Sequence, residues 1–144
     1  MKNFTFWQRW LFIVTIFIAV FGLLLALFNQ KPVFDLLFNN QINPAFWGVP
    51  RVPLDIVAFQ GWIYGVLGAT VCGWGVMMAF IAHYPFRRRE KWARNCLALG
   101  LIAWYLVDTA LSIYFGVTFN ALFNTVLVLA AMPPIYFTRK VFTE

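Results

Sequence analysis

The sequence predicts an all-α integral membrane protein, a four-transmembrane-helix bundle with both termini on the inner side of the membrane (N-in/C-in). Three features lead to this fold class: an apolar composition, four long apolar runs and an uneven distribution of basic residues. Of the 144 residues, 62% are hydrophobic and 11% are charged, whereas soluble domains are about 45–50% apolar and about 25% charged. A chain of this length cannot bury all of its apolar surface in a core. We therefore expect the bilayer to solvate much of that surface.

Four apolar runs are predicted to be the membrane spans of a single transmembrane domain, residues 1–144. Helices of roughly 17–25 residues cross a hydrocarbon core of about 30 Å, and longer helices cross it with a tilt. The predicted spans cover residues 10–28, 56–82, 96–115 and 121–137, joined by an outer loop at 29–55 and a basic inner loop at 83–95.

The first two spans have recognisable starts and flanks. The first lies between Arg9 and Lys31. A signal peptide has a shorter apolar region, about 7–15 residues, and a small-residue cleavage site, so we predict that this run is retained as a helix. The second span contains no charge, and Asp55 shortly after Pro53 is typical of a helix start.

The last two spans are defined mainly by how they end. The third carries a single acid, Asp108, and is expected to end before Gly116, because glycine often follows the last helical residues. The fourth stops before Arg139. We expect Pro133 and Pro134 to interrupt its last turns, since proline removes a helical hydrogen bond.

The basic residues predict the orientation, because lysine and arginine are enriched in cytoplasmic connections. Nine of the eleven lie in the two termini and the 83–95 loop, whereas only Lys31 and Arg51 lie in the outer loop. The side with nine is therefore predicted to be cytoplasmic. These features favour a multi-pass protein of a bacterial inner membrane.

The basic inner loop has two interpretations. Its five cations are Arg87, Arg88, Arg89, Lys91 and Arg94. They are either topology determinants alone or contacts for the anionic headgroups of membrane lipids.

A helical pattern is present in the outer loop. Apolar residues recur at helical spacing from Val33 to Phe38, opposite Asp35 and Asn39. We expect a short amphipathic segment that rests at the membrane interface and covers the outer end of the bundle.

Small residues form stripes on three spans. The second span carries the longest stripe, at Gly61, Gly65, Gly68, Cys72, Gly75, Ala79 and Ala82; the first carries Thr15, Ala19, Gly22 and Ala26; the third carries Cys96, Gly100, Ala103 and Ala110. Small residues let helices approach closely in lipid. The stripes are predicted to be internal seams of one bundle; alternatively, the second span binds another copy or a larger membrane complex.

Asp108 is the candidate functional residue, because an ionisable group within a span usually faces the bundle interior or a watery cavity. Ser112 shares its helix face, and Asn120 and Asn124 lie at similar depth on the fourth helix, Asn120 just before the span itself. The predicted ligand- or ion-binding cluster comprises Asp108, Ser112, Asn120, Asn124, Gln60, Trp104 and Tyr105. The alternative is a hydrogen-bond network that only fixes helix register.

The sequence contains no motif of enzymatic chemistry, so we predict no catalytic residue, cofactor or metal. Its basic residues lie at span ends, which argues against nucleic-acid binding. We expect a protein that acts by binding, as an accessory or assembly subunit or as a module for a lipophilic small molecule. One alternative is a small dimeric transporter or channel with Asp108 as coupling carboxylate, the second copy supplying the second repeat. A third interpretation, a lipid-modifying enzyme, would need a nucleophile or an acid–base pair, and the sequence shows neither.

Overall fold

The computed structural model describes residues 2–142, except for the side chain of Lys2, one of the inner-side charges counted above. Residues 1, 143 and 144 of the predicted domain lie outside this range. The described chain is all-helical, without strands. Within it, four helices are long and apolar enough to cross a membrane, namely α1 (Lys2–Phe28), α4 (Leu54–His83), α5 (Lys91–Tyr114) and α6 (Thr118–Phe137). The predicted all-α class with four long apolar helices is confirmed.

The long helices begin before the predicted spans, because helical hydrogen bonding continues into the polar flanks that a count of apolar residues leaves out. The largest difference is in α1, which includes the segment before residue 10. The end of α5 agrees with the prediction. Phe115 caps the helix, and Gly116 adopts a φ of 73°, a left-handed conformation in which glycine has no side chain to clash.

The predicted interruption of α6 at Pro133 and Pro134 is wrong, since the helix continues through both prolines to Phe137. Pro134 has no N–H to donate to the carbonyl of Ala130, four residues earlier. The indole Nε1 of Trp10 donates to that oxygen instead, at 2.8 Å. A side chain of α1 therefore supplies the hydrogen bond that a proline in α6 removes.

Helix α1 is the centre of the bundle. It lies along α4 and also contacts α6, while α5 packs mainly against α6. The Gln8 amide of α1 donates to the Ala82 carbonyl of α4 at 3.0 Å. Helices α4 and α5 contact each other only sparsely, so one side of the bundle is not closed by direct helix packing.

Small residues allow α1 and α4 to lie backbone to backbone. A Cβ atom added at Gly68 would lie 2.6 Å from the Gly22 carbonyl oxygen and 2.8 Å from the Ala26 Cα atom. One added at Gly75 would lie 2.7 Å from the Ala19 Cα atom. These distances leave no room for a methyl group. The seam between the first two spans is thus internal to the chain.

The small-residue stripe on α5 does not form an internal seam, contrary to expectation. A Cβ added at Gly100 would have no contact within 4 Å, and Cys96, Ala103 and Ala110 are exposed. Helix α5 instead buries larger residues, Leu97 and Leu101 among them. Leucine side chains bury more apolar area than glycine, alanine or cysteine do, so the leucine face of α5 packs against the core.

The two ends of the bundle differ in packing. The basic end is the one that carries residues 84–90. There, side chains of all four long helices form a core that includes Leu11, Met78, Leu101 and Ile135. At the opposite end, the connection from α1 to α4 folds over the helices.

This connection, here called the cap, consists of α2 (Pro32–Phe34), a π-helical turn (Asp35–Asn39) and α3 (Asn40–Trp47). Phe38 of the cap contacts the bundle, since its ring centroid lies 5.9 Å from that of Phe21 and 5.6 Å from that of Phe119. Asn39 was expected on the exposed polar face but is buried. The π turn shifts the helical register, and the Asn39 amide donates to Asp35 Oδ1 at 2.7 Å.

Candidate ligand-binding site

A cavity of ≈ 340 Å³ lies at the capped end, bounded by the four long helices and the cap. Eight of the eighteen described residues that line it are aromatic, including Phe38 of the cap, Trp74 of α4 and Phe123 of α6. Asp108 is the one charged residue among those eighteen. Pockets for small molecules typically have this volume, with apolar walls and a few polar groups.

Asp108 is the centre of a hydrogen-bond network between α5 and α6. Its Oδ1 atom accepts from the amide nitrogens of Asn120 and Asn124, at 2.7 and 2.8 Å, and lies 3.2 Å from the Ser112 hydroxyl oxygen. Its Oδ2 atom accepts from the Trp104 indole at 3.2 Å. The two amides and the indole donate, so the carboxyl group is held as an acceptor.

The remaining contacts make the network rigid. The Ser112 hydroxyl donates to the Asp108 backbone carbonyl at 2.7 Å and accepts from the Asn120 amide at 2.8 Å. Asn124 is 2% exposed, so its side chain is fixed by packing as well as by hydrogen bonds. A fixed carboxylate at a cavity wall can orient a ligand without first paying the entropy of ordering itself.

Helical spacing explains why these residues meet. Trp104, Asp108 and Ser112 recur every four residues and therefore lie on one face of α5. Asn120 and Asn124 do the same on α6. The short turn at 115–117 places the two helices side by side, and the Val117 amide donates to the Ser112 carbonyl at 2.8 Å.

Two residues predicted for this cluster lie elsewhere. Gln60 donates to Asn43 Oδ1 at 2.7 Å, and Asn43 donates to the Pro50 carbonyl at 2.8 Å. Gln60 therefore anchors the cap to α4, because its face of α4 points towards α3. Tyr105 follows Trp104 by about 100° around the helix, and its hydroxyl lies 3.2 Å from that of Thr125.

The small residues predicted to pack α4 divide into two groups. Gly68, Cys72 and Gly75 lie against the backbone of α1. Nearer the cap the helices separate. A Cβ at Gly65 would reach only the Ala26 carbonyl, at 3.9 Å, and Gly61 faces the side chain of Gln30.

The predicted lipid-contacting cations surround the basic end. Arg87, Arg88, Arg89 and Lys91 are exposed, whereas Arg94 is half-buried. Arg88 lies 3.9 Å from Glu90. Arg89 differs from the others, because it has a φ of 64° and its guanidinium lies 5.4 Å from the centre of the Phe4 ring. Another cavity, of ≈ 250 Å³, is lined by Arg89, by residues of α1 and by residues within the segment 137–141, among them Lys140.

Sequence reasoning missed the aromatic wall of the main cavity. Phe17, Phe21 and Leu25 recur every four residues on α1, and Phe34 and Phe38 do so in the cap. That spacing could have indicated that one face of α1 and one face of the cap line the same cavity. In a membrane protein, however, aromatic side chains also face lipid, so the pattern alone does not distinguish a cavity wall.

Within residues 2–142, no group of three or more histidine, cysteine, aspartate or glutamate residues could hold a metal ion. No protein-family model, curated protein or solved structure matches this chain. The site therefore has to be interpreted from its own geometry.

Proposed function

We propose that this chain is an integral membrane protein with four spans and both termini in the cytoplasm, and that it binds a lipophilic small molecule in the cavity at the capped end. The cavity itself carries this proposal. It is large enough for a small molecule, and its wall is predominantly aromatic and aliphatic. Such a wall suits an apolar ligand, whose burial is favourable in proportion to its area.

The hydrogen-bonded polar groups of the wall, Asp108, Asn120 and Asn124, lie together on α5 and α6. The described residues that α1 and the cap contribute to the wall are all apolar. A ligand with one polar end and an apolar body would match this division. The polar end fixes the orientation, while the body fills the space beneath the cap.

The route into the cavity is suggested by α4 and α5. These helices contact each other sparsely, and Leu67 and Thr70 of α4 are exposed while also lining the cavity. In a bilayer this side would face acyl chains. A lipophilic molecule would therefore enter from the membrane rather than from water.

The packed core of the bundle supports an occupant of the cavity. Apolar side chains of all four long helices form this core, so the helices are capable of close packing. Wall atoms around a void lose the dispersion contacts they would have in a filled interior. A bound molecule would restore those contacts at the capped end.

Photolabelling in nanodiscs tests the proposal. An uncharged alkyl diazirine with a terminal hydroxyl should label cavity residues such as Phe123 and Leu127, which peptide mapping identifies. Thr70→Trp should reduce this labelling by filling the space, whereas Thr70→Ala should not. Labelling confined to outward-facing residues such as Leu129, or unaffected by Thr70→Trp, would contradict ligand binding in the cavity.

A further inference from the structure

The carboxylate of Asp108 faces the cavity without a counter-charge. No lysine, arginine or histidine is among the described residues that line the cavity. The three side chains that donate to the carboxylate, those of Trp104, Asn120 and Asn124, are neutral, as is the adjacent Ser112. Neutral donors orient a carboxylate but do not cancel its charge, which is costly in an apolar surrounding.

The two carboxylate oxygens of Asp108 differ in the number of hydrogen bonds that they accept. Oδ1 accepts two hydrogen bonds, from the amides of Asn120 and Asn124. Oδ2 accepts one, from the Trp104 indole at 3.2 Å. A carboxylate has about four lone-pair sites in total, two on each oxygen. Oδ2 therefore retains capacity for a donor that enters the cavity.

A pair of tryptophan rings lies beside the carboxylate. Trp104 both donates to Asp108 and lies 5.6 Å, centroid to centroid, from Trp74 of α4. Tyr64 also lines the cavity. Electron-rich faces of tryptophan and tyrosine attract cations, most strongly where water is excluded. An anion at this position would meet a carboxylate and no basic residue of the wall.

We propose that the ligand is a lipophilic cation, specifically a protonated amine with an apolar body. This inference rests on the proposed function and adds the chemical class of the ligand. The ammonium group donates to Asp108 Oδ2 and lies against the Trp74–Trp104 pair. The apolar body extends towards Phe38 and Phe123 beneath the cap.

A pair of probes of nearly equal size tests the charge. 4-Phenylbutylamine is protonated at pH 7, whereas 4-phenylbutanol is a neutral donor with the same body. Binding of each is measured in nanodiscs of zwitterionic lipid, with binding to empty nanodiscs subtracted. The wild type should bind the amine at least about tenfold more tightly than the alcohol, as expected for a cation at a partly desolvated aromatic and anionic site.

Two variants locate the charge responsible. Asp108→Asn should abolish the preference for the amine but still bind the alcohol, which also shows that the variant is folded. Asp55→Asn removes an equal charge from an exposed position in the first turn of α4 and should leave the preference unchanged. Asp108→Glu should restore part of it.

The possible results separate this inference from the proposed function. Equal binding of both probes by the wild type would overturn the cation assignment and leave the binding module intact. A preference for the amine that persists in Asp108→Asn would overturn the role of Asp108. Absence of binding by either probe would contradict the proposed function itself.

Discussion

Replacing Gly68 by alanine should separate α1 from α4 and destabilise the bundle. The added methyl group would lie 2.6 Å from the Gly22 carbonyl oxygen, about 0.8 Å short of ordinary van der Waals contact at 3.4 Å. The obstacle is backbone, which cannot rotate away as a side chain can. Overpacking of this kind typically costs about 1–3 kcal/mol.

Gly73→Ala is the matched control, because it makes the same change in the same helix where an added Cβ has no contact within 4 Å. Alanine favours the helix over glycine by up to about 1 kcal/mol, and this gain cancels when the two variants are compared. Reversible unfolding in detergent should therefore show Gly68→Ala to be less stable than Gly73→Ala by about 1–3 kcal/mol. Equal stabilities would refute close packing of the two helices at this position.

Three further perturbations test other parts of the structure. Trp10→Phe should destabilise the protein by about 0.5–1.5 kcal/mol, because it removes the donor to the Ala130 carbonyl. Adding Pro134→Ala supplies a backbone N–H and should recover part of the loss in the same unfolding assay. Independent, additive effects of the two substitutions would contradict the compensation. Gln60→Leu should release the cap and increase amide hydrogen exchange in Asn40–Trp47, since the hydrogen bond from Gln60 to Asn43 is lost. Unchanged exchange in this helix would show that aromatic contacts alone hold the cap. Arg89→Gln should lower the amount of anionic lipid that co-purifies with the protein, because Arg89 lines the cavity at the basic end. Arg88 does not line that cavity, so Arg88→Gln should have a smaller effect. Equal losses would indicate attraction by overall charge rather than binding at a site.

Local periodicity was enough to predict much of the candidate site. Asp108 and Ser112 share a face of α5 whatever else the chain does, because they lie one turn apart. The turn at Gly116 is short, so Asn120 and Asn124 had to lie close to that face on an antiparallel neighbour. The hydrogen bonds among these four residues follow from those two constraints.

Features that depend on how distant segments pack could not be obtained in the same way. Gln60 lies at the depth expected of a cluster member, but its side chain points to the cap. There it bonds to Asn43, seventeen residues earlier in the chain. The cavity is also a product of arrangement. Nothing in the spacing along α4 or α5 indicates that these helices stay apart, or that the small-residue face of α5 remains exposed.

The most direct test of ligand binding in the cavity is native mass spectrometry of protein extracted in a mild detergent. The wild type and Thr70→Ala are predicted to retain a small-molecule adduct, and Thr70→Trp is predicted to lose it, because the indole fills the space beneath the cap. A wild-type spectrum without such an adduct, or an adduct that Thr70→Trp retains in full, would contradict the assignment of this cavity as the binding site.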